Sequence, residues 1–376
     1  MIISNGTVFC DDGVFKKMDI EVQSGVITAL GEKLSQSGHE IINAENHYVI
    51  PGLVDIHTHG AMGADFSDGT EEAMEKIAKH QLSHGVTSFL CTTMSLSDDL
   101  TIKACETARP MVNIVYTDRA VMRGLHLEGP FFSIEKRGAQ NADFIIKADI
   151  SKFKRWNETS GDAVRLIAVA PEVEGNLEFI KEAAPICAVS LAHSTADYKT
   201  AANGIKNGAT HVTHLFNGMN GFNHREPGIP GAAFDSDVYV ELIADGVHVH
   251  PTMVRAVFEL YSEDRMCIIS DSMRATGLED GVYELAGLRV TVVGKSATID
   301  NGSLAGSVSS LTNCMRNAVE FGVPLEKAVK AVTINPAKSV GIDADIGSLS
   351  VGKRADIVIL KKDLSLDRII FGGESL

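Results

Sequence analysis

Val54-Asp55-Ile56-His57-Thr58-His59-Gly60 is the stretch on which the reading of this chain turns. Its β-branched residues favour a strand, in which residues i and i+2 point to the same side. His57 and His59 therefore project together, as two ligands of one metal ion do. Gly60 ends the strand and lets the backbone turn. A pattern of helical length follows at Glu71–His84, then a second strand candidate at Thr87–Cys91. The alternation continues outward. Further strands are predicted at Leu53–His57, Val121–Leu127, Val164–Val169, Cys187–Ala192, Thr210–His214, Val238–Ala244 and Met266–Asp271. Amphipathic stretches lie between most of them, among them Asp98–Val112, Asn176–Ala184, Ala196–Asn207 and Pro251–Tyr261. Eight buried strands alternating with helices predict an α/β fold, a parallel (β/α)8 TIM barrel over residues 51–336. The connection after Thr213-His214 reads as loop, rich in Gly, Asn and Pro through Gly231.

Two regions fall outside this alternation. Residues 1–50 read as short strands with a turn at Asp11-Asp12-Gly13, and residues 337–376 have the same style, with Ala355–Leu360 and Arg368–Phe371 as strands. Neither piece has enough apolar surface for its own core. Together they predict one small β-sandwich domain beside the barrel. Residues 284–300 read as a β-hairpin inserted after the eighth strand, placed to cover the barrel mouth.

Composition narrows the class of function. The chain has 376 residues, 44% of them hydrophobic and 22% charged, as in ordinary globular proteins. A net charge of −15 argues against non-specific binding to nucleic acid or an anionic membrane. There is no signal-peptide pattern at Met1-Ile2-Ile3-Ser4-Asn5-Gly6, and no run approaches the ~20 apolar residues of a membrane span. Six cysteines are scattered without a C-x-x-C pair. They read as free thiols in a reducing cytoplasm, the expected location.

In a (β/α)8 barrel, reactive groups sit at the C-terminal ends of the strands. Here those ends carry His57 and His59, then Glu128, His193, His214, His248 and Asp271. Imidazole and carboxylate without thiolate suit zinc first, with iron, manganese or cobalt as alternatives. Such a cation polarises a carbonyl and acidifies water. Asp271 is placed to take a proton from water and return it to a leaving amine. His248 is placed to hydrogen-bond a developing oxyanion. The expected activity is metal-dependent hydrolysis.

With these residues in view, the chain resembles the amidohydrolase superfamily, and within it the N-acetylglucosamine-6-phosphate deacetylases. The resemblance covers nearly the full length. It is carried by Pro51–Gly60, His126-Leu127-Glu128-Gly129-Pro130-Phe131, Ala192-His193-Ser194, Thr213–Met219, Arg225-Glu226-Pro227-Gly228, Ala244–His248 and Ser270-Asp271. The set His-Leu-Glu-Gly-Pro, His-Leu-Phe-Asn and Arg-Glu-Pro-Gly is far more selective than His-x-His alone. Many amidohydrolases bridge two metals with a carbamylated lysine. Strands three and four offer none here, and Glu128 takes that place.

The resemblance implies one metal held by Glu128, His193 and His214. It implies a second held by His57 and His59, with Glu128 bridging and Asp271 near, so one or two divalent metals per subunit. It also implies deacetylation of N-acetyl-D-glucosamine 6-phosphate to D-glucosamine 6-phosphate and acetate, as in amino-sugar catabolism. Substrate contacts are implied for Asn217, Gly218, His248 and Leu304. Arg225 is implied to reach the phosphate in the neighbouring subunit of a homodimer. Gln140, standing where other members have histidine, is a further candidate substrate contact. Three rival readings remain at this point: an N-acetylgalactosamine-6-phosphate deacetylase, another amide hydrolase of the dihydroorotase or aminoacylase kind, and a catalytically inactive binding protein. The Arg225 motif argues against the second, and the intact ligand set argues against the third.

Overall fold

The computed structural model describes all 376 residues. Eight parallel strands form its central sheet: β1 (Leu53–Thr58), β2 (Val86–Thr93), β3 (Val121–Phe131), β4 (Val164–Val169), β5 (Ala188–Leu191), β6 (His211–Val212), β7 (Tyr239–Ile243) and β8 (Met266–Ile269). Each pairs with the next in chain order. A parallel bridge between Thr58 and Ser272 brings the two edge strands together at their C-terminal ends. The Asp271 amide donates to the His57 carbonyl at 2.9 Å in the same seam. The result is the (β/α)8 barrel expected.

Helices follow each strand: α1 (Glu71–Ser83), α2 (Asp98–Ala108), α3 (Ile150–Thr159), α4 (Asn176–Ala183), α5 (Tyr198–Lys206), α6 (Gly228–Phe234), α7 (Pro251–Leu260) and α8 (Leu311–Glu320). The first is typical of how they form. The Thr70 hydroxyl accepts the Ala73 amide and caps the N-terminus, and Glu71 and Glu72 lie in the first turn, where the helix dipole favours them. Met74, Ile77, Ala78 and Leu82 make the buried stripe. Every residue of β1, β2 and β3 is buried, because helices cover one face of the sheet and the barrel interior fills the other. The main core is a cluster of 67 buried residues between the strands and the helical ring.

The terminal segments meet as expected in a small separate β-domain. Tyr48–Pro51 pairs in parallel with Ile2–Phe9 and antiparallel with Ile357–Leu360, so both ends of the chain join one eight-stranded sheet. Its own core has 13 buried residues, including Ile3, Ile20, Val49 and Ile357. No helix is long and apolar enough to cross a membrane.

Three local readings need correction. The segment through Gly231 is not all loop, because α6 begins at Gly228 behind Pro227, which sits at the N-cap. Glycine and proline hide this helix from a propensity reading, yet Ile229, Ala232 and Ala233 are buried. The sixth strand is shorter than Thr210–His214, since His214 turns to φ 29° and leaves the ladder. The insertion after β8 is a three-stranded meander rather than a hairpin, with strands Gly281–Leu285, Leu288–Val293 and Ser296–Ile299.

Candidate active site

The C-terminal ends of the strands converge on a single buried cluster. His57 and His59 leave β1 with their Nε2 atoms 3.3 Å apart. Glu128, inside β3, places Oε1 at 2.9 Å from His214 Nε2 and 3.1 Å from His193 Nε2. Its Oε2 lies 3.4 Å from His59 Nε2. Asp271, just past β8, places Oδ1 at 3.2 Å from His59 Nε2 and 3.5 Å from His57 Nε2. Two triads of ligand atoms, each within 4.8 Å, share Glu128: His57 with His59, and His193 with His214.

The far side of each ring explains why these nitrogens face inward. His57 Nδ1 donates to Glu241 Oε2 at 3.0 Å, His59 Nδ1 to the Thr92 carbonyl at 3.2 Å, and His193 Nδ1 to the Lys136 carbonyl at 2.9 Å. A carbonyl only accepts, so Nδ1 carries the hydrogen and Nε2 keeps its lone pair when the ring is neutral. Outer partners of this kind orient imidazoles for a metal. When both rings are neutral, their Nε2 lone pairs face each other at 3.3 Å with no hydrogen to share, and a cation is what such a pair accommodates. This donor set fits a divalent metal of the zinc, iron, manganese or cobalt kind.

The electrostatics agree. Burial pushes the Glu128 carboxyl up, but the His57 charge and hydrogen bonds from His193, His214 and His59 hold it well below the usual carboxylate range. Asp271 is lowered in the same way: burial raises it, and His57 and His59 outweigh that. Burial lowers His59, while Asp271 and Glu128 raise it well above its ordinary value. Two ionised, buried carboxylates thus draw positive charge, a proton or a cation, to one place.

The backbone is bent to achieve this. His193, His214, Phe216 and Asp271 have φ of 43°, 29°, 76° and 47°, in the left-handed region that side chains avoid. Such conformations persist only where surrounding contacts over-determine them. The Ser194 amide donates to the Gly218 carbonyl at 2.9 Å, and the Ser307 amide to the Asp271 carbonyl at 2.7 Å. A Cβ on Gly218 would stand 2.8 Å from His193 Nδ1, so only glycine fits there.

Above the cluster opens a cavity of about 290 Å³. His59, Glu128, Gln140, His193, His214, Asn217, Gly218, His248, Asp271 and Leu304 line it. His57 lies behind these and is fully buried. His248 donates from Nδ1 to Asp245 Oδ2 at 2.7 Å, and burial, which lowers its pKa, is outweighed by that carboxylate. Arg225 is the predicted residue the structure does not bring to this cavity. It is exposed, on the wall of a separate surface recess with Asp197, Asn220 and Asn223.

Residues 48–376 match the amidohydrolase family. The chain belongs to that family. It is 34% identical to an N-acetylglucosamine-6-phosphate deacetylase of Bacillus subtilis (strain 168), over 99% of this chain and 96% of the relative. It is 32% identical to an N-acetylgalactosamine-6-phosphate deacetylase of Escherichia coli O157:H7, over 97% and 96%. Among solved structures, a mutant N-acetyl-D-glucosamine-6-phosphate deacetylase from Mycobacterium smegmatis, in complex with N-acetyl-D-glucosamine-6-phosphate, superposes with a TM-score of 0.94 at 30% identity. That match covers 100% of this chain and 98% of the other.

Sequence reasoning missed several parts of this amidohydrolase's site. Glu241, which orients His57, lies in the middle of β7 and is completely buried. A lone glutamate in the apolar run Val238–Ala244 was the available signal. Asp245 orients His248, yet its place in Ala244–His248 carried no role in the sequence reading. Leu285, from the meander, and Phe216 also line the amidohydrolase cavity. Phe216 lies within the His-Leu-Phe-Asn motif, which gave it no role, and no sequence pattern marks Leu285.

Proposed function

We propose that this chain hydrolyses N-acetyl-D-glucosamine 6-phosphate to D-glucosamine 6-phosphate and acetate. The observation that carries the reading is one shared cavity. It holds Glu128 against His193 and His214, with Asp271 and His248 on its wall. Full-length similarity to deacetylases of this substrate supports it.

Glu128, His193 and His214 would hold one divalent metal, zinc before iron, manganese or cobalt. His57 and His59, with Glu128 and Asp271, would hold a second. When bound, the metal supplies Lewis acidity towards the amide carbonyl and towards water. Asp271, ionised and open to the cavity, accepts the proton of the attacking water. The new C–O bond forms as the carbonyl π electrons move to oxygen, and His248, kept as an imidazolium by Asp245, donates a hydrogen bond from Nε2 to that oxygen. Asp271 then returns the proton to nitrogen, the C–N bond breaks, and acetate and the amine leave. Asp245 keeps His248 oriented with its other nitrogen towards the cavity.

Asn217, Gly218, Leu304 and Gln140 line the sugar side of the cavity. Arg225 would serve the phosphate in the neighbouring subunit of a homodimer. Its exposure, outside its own chain's cavity, supports that reading. The six free cysteines support action in the reducing cytoplasm. The decisive assay compares kcat/KM for N-acetylglucosamine 6-phosphate, its galactosamine epimer and unphosphorylated N-acetylglucosamine. The expected order is that order. Preference for the epimer would replace the substrate, and preference for the unphosphorylated sugar would remove the role of Arg225.

A further inference from the structure

Gln140 lines the cavity, but its amide is committed at both ends. Its Oε1 accepts the buried Ser95 N–H at 2.7 Å, and its Nε2 donates to Glu128 Oε2 at 2.6 Å. The orientation of the amide follows, because a backbone N–H can only donate and a carboxylate can only accept. Gln140 is 3% exposed, so these bonds face little competition from water. Glu128 is therefore an unequal bridge. Oε1 faces only the imidazoles of His193, His214 and, at 3.7 Å, His57. Oε2, the oxygen nearer His59, is already held by an amide whose hydrogens carry positive partial charge.

We propose that Gln140 sets the filling order of the metal centre, favouring the His193–His214 half and weakening the His57–His59 half. The inference rests on reading the cluster as a metal centre. A cation drawing on Oε2 competes with a charge-assisted hydrogen bond, among the stronger kinds. Swinging the amide away does not avoid the cost, since it strands the Ser95 N–H, and Ser95 is fully buried.

The test is a titration of the metal-stripped full chain with Zn²⁺ against a chromophoric chelator. The native chain should show two dissociation constants at least ~10-fold apart, the weaker one lost in His57→Asn. Gln140→Met keeps the length and removes both bonds, and it should narrow the gap roughly tenfold. Gln140→His, which retains a ring donor, should keep most of the gap. An unchanged ratio in Gln140→Met would overturn the proposal. So would an equal weakening of both sites, which marks a loosened fold and no more. Failure of the native chain to take up any Zn²⁺ would overturn the metal-centre reading itself, and this inference with it.

Discussion

Glu241 shows how much at this site depends on a single residue far away in sequence. It is 184 positions from His57, yet its Oε2 fixes which nitrogen of His57 faces the cluster. Removing an outer partner of a metal ligand typically costs about 10- to 100-fold in affinity. Glu241→Gln should therefore weaken uptake at the His57–His59 half by that order and leave the other half intact, as read by metal content after dialysis. Equal loss at both halves would contradict the account. His248→Asn should lower kcat by ~10²- to 10³-fold with little change in KM, the signature of a group that acts as charge develops. A rise in KM alone would make His248 a binding residue only. At this scale the residues of the cluster were legible, because His, Glu and Asp stand at strand ends in recognisable motifs. Their orienting partners were not. Glu241, the Thr92 carbonyl and the Lys136 carbonyl reach the rings through the fold, and no local pattern records a long-range hydrogen bond.

At the scale of elements, the strand–helix alternation is written in periodicity, and most strands lie where it predicts. It failed where composition misleads. In α6, Gly228, Pro230 and Gly231 argue against a helix, and tertiary burial overrides them. The helix α1 carries a testable consequence. His80 is buried beside His84, and burial, with the His84 charge second, pushes its pKa down to about 4. Folded His80 stays neutral while the unfolded chain protonates near pH 6.5. The unfolded state thus binds more protons between those values, and stability falls as pH drops from about 6.5 to about 4, by up to ~1.4 kcal/mol per pH unit. In His80→Leu this component should vanish, so urea midpoints at pH 7 and pH 5 should differ less than in the native chain, both stripped of metal. Parallel shifts in the two proteins would show that His80 is not the group responsible.

At the scale of the whole molecule, the two ends of the chain meet to hold the barrel's first strand. Ile357 pairs with Pro51, two residues before β1, whose far end carries His57 and His59. Ile357 is fully buried in the small core. Ile357→Ala should cost about 2–5 kcal/mol, visible as a lowered urea midpoint. A change below about 1 kcal/mol would mean the small domain does not support the barrel. The shape of the molecule was legible because barrel and sandwich follow from alternation and from two end pieces too small to fold alone. The meander over the mouth was only partly legible, since 284–300 encloses its second and third strands but only the last two residues of the first, Gly281–Leu285.

In the proposed mechanism Asp271 moves the proton of an amide hydrolysis at this cavity. The most direct measurement is acetate release from N-acetyl-D-glucosamine 6-phosphate by the metal-loaded native chain and by Asp271→Asn, with metal content determined in both. The native chain should release acetate rapidly and the variant ~10²- to 10⁴-fold more slowly, with the metal of the His193–His214 half retained. Near-native turnover by Asp271→Asn, or no acetate from the loaded native chain, would contradict this mechanism.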